Sequence, residues 1–267
     1  MTFKSLLTRL YQIPSDELSH DNWQDVQPCW NISIGKRNFI LTQPFSSFLV
    51  YLLGIETIVV SFLFLQVHPI QTTDVWWFIS LFLWGLGALI AGTSYQAFGY
   101  YIKCYGRAHC TWTSWWEVVY LLMQKLSVDA MLIAVGYSCL PSGVFRTLTF
   151  SLTAVSAVAY VALLVYGSLK PVKRFITFEM MVVFCAPVYL FLIGLNSYRY
   201  LYHQTEIDSI LLTLWISLVA IMILYYGYLK LGWTEKLWNR KIWFSANDFL
   251  HIGLIFWIAA LGLHLKP

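Results

Sequence analysis

Residues 207–229 read IDSILLTLWISLVAIMILYYGYL, and this run decides what kind of protein the chain is. It holds one acidic residue, Asp208, and no basic residue. A bilayer core about 30 Å thick needs about 20 mostly apolar residues in helical form. The helix is required because every backbone polar group in that layer must be bonded within the chain. The run therefore predicts a membrane-spanning helix.

Six further runs have the same character, and the quoted run is the sixth of seven in chain order. Of the 267 residues, 59% are hydrophobic and 11% are charged, whereas an ordinary soluble domain carries roughly 25% charged residues. We therefore predict an all-α, polytopic membrane protein with seven transmembrane helices. The other predicted spans are Ser46–Gln66, Asp74–Tyr101, Ser114–Cys139, Val144–Tyr166, Phe175–Tyr198 and Asn247–Leu265.

The lysines and arginines predict which way the spans face, because the cytoplasmic loops of membrane proteins carry an excess of both. Of the 17 basic residues, 13 fall on one side of the predicted membrane and three on the other, with Lys125 inside a span. The N-terminus and the loops after spans two, four and six are therefore predicted to be cytoplasmic. The opposite side holds only Arg146, Arg199 and Lys266.

The chain divides into a cytoplasmic N-terminal segment, residues 1–45, and a transmembrane domain, residues 46–267. Apolar residues recur at helical spacing early in the segment, which predicts a short helix lying on the membrane surface. A partner-binding motif is the alternative interpretation. The apolar positions are Phe3, Leu6, Leu7, Leu10 and Tyr11.

Short loops and the absence of an apolar signal sequence favour a bacterial inner membrane as the location. Membrane lipid is the expected partner, and the sequence leaves the oligomeric state open. The net charge of +4 is too small to indicate a nucleic-acid partner. The cysteines are odd in number and scattered, which predicts free thiols rather than a disulfide framework. Cys104, His109 and Cys110 lie close together in one loop, but without a fourth ligand they are a weak zinc signal.

Ionisable residues at membrane depth are costly and usually face a bundle interior or a wet cavity, so they are the best guide to function. One layer of polar residues lies near the predicted cytoplasmic ends of the spans. Within it, Asp248 lies three residues before His251, so the two share one face of the last helix. The layer comprises Ser94, Tyr95, Gln96, Glu117, Glu179, Asn247, Asp248 and His251.

This layer has two interpretations. In the first, it is a hydrophilic pocket open to the cytoplasm, where Glu117, Asp248 and His251 bind a divalent metal such as zinc or move protons. In the second, its members are helix caps, with Ser245, Asn247 or Asp248 capping the last span and with Glu117 and Glu179 at positive helix N-termini. Because His251 lies about a turn deeper than a cap requires, we favour the pocket.

A second layer lies deeper and contains Glu56, Gln124, Lys125 and Asp129. Lys125 and Asp129 are about one helical turn apart, which predicts an ion pair that Glu56 could extend. We favour a buried polar knot that fixes helix packing, and the alternative is a pathway for protons or substrate.

Two short stretches, Ser94-Tyr95-Gln96-Ala97-Phe98 and Asn247-Asp248-Phe249-Leu250-His251, resemble motifs of a superfamily of seven-helix membrane hydrolases. That superfamily includes the alkaline ceramidases and the adiponectin and progestin receptors. Its zinc is held by three histidines, one four residues after a serine near the end of the second helix and two in an H-x-x-x-H pair in the seventh. Phe98 and Asn247 stand where two of those histidines would be, while Glu117 stands near the expected acidic residue. The resemblance implies a lipid-active hydrolase that has lost zinc or uses another metal.

The leading functional hypothesis is therefore a lipid-active hydrolase of amide or ester bonds. Glu117 or Asp248 would act as the general base, and His251 as metal ligand or acid. Ser94 would orient or polarise the substrate. The alternative is a non-enzymatic small-ligand sensor, or a transporter whose pathway passes the deeper polar layer.

Overall fold

The structure, a computed structural model, describes residues 8–35, 37–66 and 68–265. Within these residues, seven helices are long and apolar enough to cross a membrane, which confirms the predicted fold class. They are α1, α2, α4, α5, α6, α7 and α9, and their ends lie within a few residues of the predicted ones, except at the end of the second span. That span was predicted to end at Tyr101, whereas α2 ends at Ala91 and a π-helical turn continues it to Ala97. The helices are α1 Pro44–Leu63, α2 Thr72–Ala91, α3 Gly99–Lys103, α4 Trp115–Cys139, α5 Val144–Leu169, α6 Phe178–His203, α7 Glu206–Lys230, α8 Trp233–Trp238 and α9 Ala246–His264.

Three of the spans begin at a hydroxyl N-cap, which explains why the helices start where they do. Ser114, Thr177 and Ser245 each accept a hydrogen bond from the backbone N–H three residues later. Such caps satisfy N–H groups that the first turn of a helix leaves without partners. All three caps lie at the end of the bundle where α1 begins, which we call the N-terminal end. The opposite end is called the far end.

Six of the seven spans form a closed ring, and α5 lies outside it. In order around the ring, α1 contacts α2, α2 contacts α4, α4 contacts α6, α6 contacts α7, α7 contacts α9, and α9 returns to α1. The fourth span, α5, packs mainly against α4. Because α4 is covered from both sides, 67% of its most apolar stretch is buried, the largest share among the seven spans.

The side-chain pattern of α5 explains its place outside the ring. Thr149, Thr153, Tyr160 and Leu164 form one buried stripe at helical spacing. The rest of the helix presents exposed apolar side chains, such as Val155, which is 65% exposed. A helix with one narrow buried stripe contacts neighbours on one side only, and its remaining apolar surface suits lipid.

Close packing of α1 against α2 depends on two glycines that face each other. A Cβ atom added to Gly85 would lie 2.7 Å from the backbone oxygen of Gly54. A Cβ atom added to Gly54 would lie 2.6 Å from Cδ2 of Leu89. Small residues at this crossing let the two backbones approach, as is usual between membrane helices.

The N-terminal segment folds over the N-terminal end of the bundle, and its main element was not predicted. Strands β1 Cys29–Ile34 and β2 Arg37–Thr42 pair in an antiparallel hairpin, with Cys29 opposite Thr42. Of the predicted surface helix, Phe3, Leu6 and Leu7 lie outside the described residues. The described part, Thr8–Gln12, is a turn of 3-10 helix whose Leu10 side chain is buried in the bundle core.

The prediction of free thiols was wrong for one pair of cysteines and holds for the other three. Cys104 and Cys110 form a disulfide, whereas Cys29, Cys139 and Cys185 are free. The loop reverses direction at Gly106, whose φ is +72°, and this brings the two Cα atoms to 4.1 Å. Composition alone does not reveal such a turn. A bonded pair also offers no thiolate to a metal, which removes two of the three ligands of the weak zinc signal.

Candidate functional site

The ring of six spans encloses a cavity of about 600 Å³. All six ring helices line it and α5 does not. Along α6 the lining extends from Phe178 to Ile193, roughly 22 Å at 1.5 Å per residue. The volume falls within the range of roughly 300–1,000 Å³ that is typical of small-ligand sites. The cavity is therefore elongated and runs from the N-terminal end toward the middle of the bundle.

Three indole rings close the cavity toward the far end. Trp84 lines the cavity, and its ring centroid lies 5.5 Å from that of Trp257. Trp257 in turn lies 6.3 Å from Trp215. The Trp257 Nε1–H donates to the carbonyl of Leu214 at 2.8 Å, and the Trp215 Nε1–H donates to Asn196 Oδ1 at 2.9 Å. Because each of these two rings has a polar partner, the layer is a fixed aromatic floor.

The cavity reaches the outer surface of the bundle between α6 and α7. Leu190 on α6 lines the cavity and is nevertheless 69% exposed. Val219, Ile223 and Tyr226 on α7 also line it and are exposed on the outside. In a membrane this surface faces lipid rather than water. The position of these residues indicates lateral access from the bilayer.

The wall of the cavity is largely apolar, with a few hydrogen-bonding groups. His251 lines it, and its Nδ1 atom is buried without a hydrogen-bond partner among the described residues. Gln124 also lines it, and its Nε2 donates to the carbonyl of Trp84 at 3.2 Å. Tyr120 and Tyr189 add ring surface. No lining residue in the described part of the chain is Asp, Glu, Lys or Arg.

Ser94 and Glu117, two of the four predicted catalytic residues, lie together but outside this cavity. The last turn of the second span, Gly92–Ala97, is π-helical, and it places Ser94 against the start of α4. Ser94 Oγ donates to Glu117 Oε1 at 3.0 Å and lies 2.7 Å from Ser114 Oγ. Both Ser94 and Glu117 are buried. A π-helical turn is often found at functional sites, and here it brings together two polar side chains 23 residues apart.

The Glu117 carboxylate is held by two further donors. Lys103 Nζ forms an ion pair with Oε1 at 2.7 Å, and Thr113 Oγ1 donates to Oε2 at 2.9 Å. The Lys103 ammonium also lies 5.0 Å from the ring centre of Tyr95. We call Ser94, Lys103, Thr113, Ser114 and Glu117 the Glu117 cluster. Both oxygens of this buried carboxylate are therefore occupied by donors.

The sequence predicts Lys103 as a cytoplasmic loop residue, and its pairing with Glu117 was not predicted. Its position offered a signal, because it follows the predicted end of span two by only two residues. Glu117 lies at the same end of the next span, so the two residues are at a similar depth in the membrane. A buried carboxylate at that depth needs a cationic partner nearby. The chain between Lys103 and Glu117 turns back at Gly106, and Thr111 N donates a hydrogen bond to the Lys103 carbonyl. This turn brings Glu117 close to Lys103.

Asp248 and His251 do not join the Glu117 cluster. Asp248 and Ser245 form a capping box at the start of α9, in which Asp248 Oδ2 accepts from Ser245 N at 2.5 Å. Asp248 is therefore part of a helix cap, as the second interpretation predicts. Its other oxygen, Oδ1, is buried without a partner among the described residues. Within residues 8–35, 37–66 and 68–265, no group of three or more His, Cys, Asp or Glu side chains is placed to hold a metal ion.

The deeper polar layer contains the ion pair that was predicted, without the extension to Glu56. Lys125 Nζ pairs with Asp129 Oδ1 one turn along α4, and Lys125 is fully buried. Glu56 Oε2 is buried and has no hydrogen-bond partner among the described residues. Neither member of the pair lines the cavity. Both members belong to α4, so the pair links two turns of one helix, and its role in fixing helix packing stays a prediction.

A third ion pair, at the far end, was not predicted, and its carboxylate is fully buried. Arg199 Nε donates to both carboxylate oxygens of Asp208, at 2.9 and 3.1 Å. Asn196 Nδ2 donates to Asp208 Oδ1 at 3.0 Å, and Arg199 Nη1 donates to the carbonyl of Cys139 at 2.6 Å. These bonds tie α6, α7 and the end of α4 together. From the sequence, Arg199 is predicted to lie in an outward-facing loop, whereas the structure places it in α6.

Comparison with known proteins adds no relative: no family model, no curated protein and no solved structure matches this chain.

Proposed function

We propose that this protein is a ligand-binding membrane protein whose cavity takes one lipid-like molecule from the bilayer. The observation that carries the proposal is the cavity of about 600 Å³ within the six-helix ring. Its wall is mostly apolar and carries a small number of hydrogen-bonding groups, which is the usual composition of a small-molecule site. This develops the non-enzymatic alternative, and membrane lipid is the proposed partner.

Two features support a lipid rather than a water-soluble ligand. The exposed side chains of Leu190 and Ile223 border the cavity on the surface that faces the membrane. The aromatic floor that begins at Trp84 closes the cavity toward the far end of the bundle. A molecule that diffuses within the bilayer therefore has a direct route to the cavity.

Hydrolysis remains the second candidate, and the hydrogen bond from Ser94 to Glu117 favours it. A hydroxyl bonded to a carboxylate is the geometry that an activated serine needs. Against it, Lys103 and Thr113 occupy the two oxygens of the Glu117 carboxylate, and only His251 of the four proposed catalytic residues lines the cavity. Lipid binding without turnover is therefore the function that the geometry supports best.

We further propose that the N-terminal end faces the cytoplasm of a bacterial inner membrane, on the basis of the 13 basic residues on that side. The Cys104–Cys110 disulfide, at the same end of the bundle, favours the opposite orientation, because disulfides persist in oxidising compartments and not in the cytoplasm. We give the charge distribution more weight, since it involves the whole chain. A membrane-impermeant maleimide should label Ser142→Cys in intact cells and Arg240→Cys only after permeabilisation. The reverse result would invert the proposed orientation.

Photo-crosslinking of the protein in lipid nanodiscs tests the proposed binding. The probe is hexadecanol that carries a photoreactive diazirine in its chain, and mass spectrometry maps the labelled peptides. We expect labels on the cavity-lining parts of α6 and α7. Assaying the same samples for cleavage of lipid esters and amides tests the hydrolase alternative.

A cavity-filling variant provides the control. Ala186→Trp places an indole in the cavity and should reduce the labelling of α6 and α7 about tenfold, while Ala159→Trp on the exposed face of α5 should leave it unchanged. Equal labelling in both variants would show that the probe only coats the protein, and the proposal would fail. Ester or amide turnover that depends on Ser94 would instead establish the hydrolase.

A further inference from the structure

We propose that the cavity selects uncharged amphiphiles, that is, molecules with one hydrocarbon chain and a small neutral group that hydrogen-bonds to His251. This rests on the proposed ligand-binding function and adds to it the chemical class of the ligand's headgroup. A hydroxyl group fits the site best, for reasons of charge and of hydrogen bonding.

The charge argument begins with the wall of the cavity. No Asp, Glu, Lys or Arg in the described part of the chain lines it. Two buried ammonium groups of the bundle are already paired, Lys103 with Glu117 and Lys125 with Asp129. A phosphate, carboxylate or quaternary ammonium headgroup would lose its hydration here without gaining a counter-charge, which is strongly unfavourable.

The hydrogen-bonding argument begins with His251. Its Nδ1 atom is buried and closed to the cavity, so Nε2 is the ring nitrogen that a ligand can reach. Nε2 has no hydrogen-bond partner among the described residues, and it donates or accepts according to the tautomer of the ring. A hydroxyl both donates and accepts, so it satisfies Nε2 in either tautomer. An apolar ligand would leave the atom unpaired.

The position of His251 also sets the direction of the ligand. It lies in the second turn of α9, close to the N-terminal end of the cavity. Leu254, one turn deeper, lines the apolar part, and Trp84 lies at the floor. A ligand that bonds to His251 therefore extends its chain toward the middle of the membrane, which is the orientation of an amphiphile in a leaflet.

Four competitors of equal chain length separate charge from size and from hydrogen bonding. Each competes with the photoreactive hexadecanol for labelling of the protein in nanodiscs: hexadecanol, hexadecane, hexadecyl methyl sulfone and hexadecanesulfonate. The sulfone and the sulfonate have almost the same shape, and only the sulfonate is charged. We expect the sulfonate to compete at least about a hundredfold more weakly than the sulfone, because its charge would be buried unpaired. Hexadecane should compete about tenfold more weakly than hexadecanol, for want of one hydrogen bond.

Variants of His251 test the hydrogen bond directly. His251→Leu should remove the advantage of hexadecanol over hexadecane, and His251→Gln should restore part of it, because the amide also donates and accepts. His264→Leu, on an exposed residue at the other end of α9, should change nothing. The wild-type comparison of sulfone with sulfonate needs no variant and so does not depend on how the variants fold.

The possible outcomes separate the two proposals. If the sulfonate competes as well as the sulfone, the cavity does not exclude charge and the inference is overturned while ligand binding stands. An advantage of hexadecanol over hexadecane that persists in His251→Leu would likewise overturn the role of His251. If no competitor reduces the labelling, the proposed function itself fails, and the inference falls with it.

Discussion

Lys103 Nζ lies 2.7 Å from Glu117 Oε1, and both side chains are almost completely buried. The pair joins the last residue of α3 to the first turn of α4, so it fastens two helices together at the N-terminal end of the bundle. Ser94 and Thr113 complete the shell of the carboxylate.

Removing the charge of Glu117 should destabilise the protein strongly. Glu117→Gln keeps the shape of the side chain but leaves the Lys103 ammonium buried and unpaired, which typically costs about 3–5 kcal/mol. Thermal unfolding in detergent measures the loss. The double variant Lys103→Met/Glu117→Gln should lose less than the sum of the two single variants.

Glu179→Gln is the matched control for this experiment. Glu179 also lies in the first turn of a span, and the described residues give it no ion pair. Its neutralisation should change the melting temperature little. A Glu117→Gln variant as stable as the wild type would contradict the structural role and would leave the carboxylate free for catalysis.

The Lys125–Asp129 pair should matter for stability and not for ligand binding, because neither residue lines the cavity. Asp129→Asn leaves a buried lysine without its counter-charge, so we expect a loss of about 3–5 kcal/mol. Lys125→Met/Asp129→Asn should recover much of that loss. Melting curves and photoreactive hexadecanol labelling are measured on the same preparations. A stable double variant that has lost the uptake of a ligand into vesicles would instead indicate a transport pathway through this pair.

The α1–α2 crossing should not tolerate a larger residue. Gly85→Val forces a side chain against the Gly54 backbone, which cannot move aside as a flexible side chain would. We expect a loss of about 1–3 kcal/mol, as for other overpacked interfaces, seen as a lower melting temperature. Gly194→Val on α6 is the control, since a Cβ atom there meets nothing within 4 Å. Equal effects of both variants would argue against the close crossing.

The Cys104–Cys110 disulfide should hold the N-terminal segment on the bundle. Ser15 N donates to the Cys110 carbonyl at 2.8 Å, and Trp112 N donates to the Ile13 carbonyl at 2.9 Å. Cys104→Ser/Cys110→Ser removes a loop closure worth roughly 2 kcal/mol, so limited proteolysis should cut before α1 more quickly.

Cys29→Ser serves as the control for that variant, because it changes a free thiol in the same segment. Burial raises the pKa of the Cys29 thiol, so Cys29 should also alkylate slowly at neutral pH and contribute little to a count of reactive thiols. Proteolysis that is unchanged in the double serine variant would show that the segment is held without the disulfide.

The sequence by itself determined the seven spans and, except at the end of the second, their approximate ends, together with the Lys125–Asp129 pair. These features depend on local properties, namely about 20 apolar residues in a row, a hydroxyl before the first turn, and two charges one turn apart. Each is visible within a single stretch of chain, so no knowledge of neighbouring helices was needed.

Only the tertiary structure decided the ring order, the position of α5 outside it, the cavity, and the partner of Glu117. Lipid-facing and partner-facing sides of a membrane helix are both apolar, so hydrophobicity does not tell which side of α5 or α6 meets protein. The sequence singled out Ser94, Glu117, Asp248 and His251 together because they lie at the same depth. Depth fixes the position of a side chain along the membrane normal, whereas the rotation and the neighbours of each helix separated His251, in the cavity, from the Glu117 cluster.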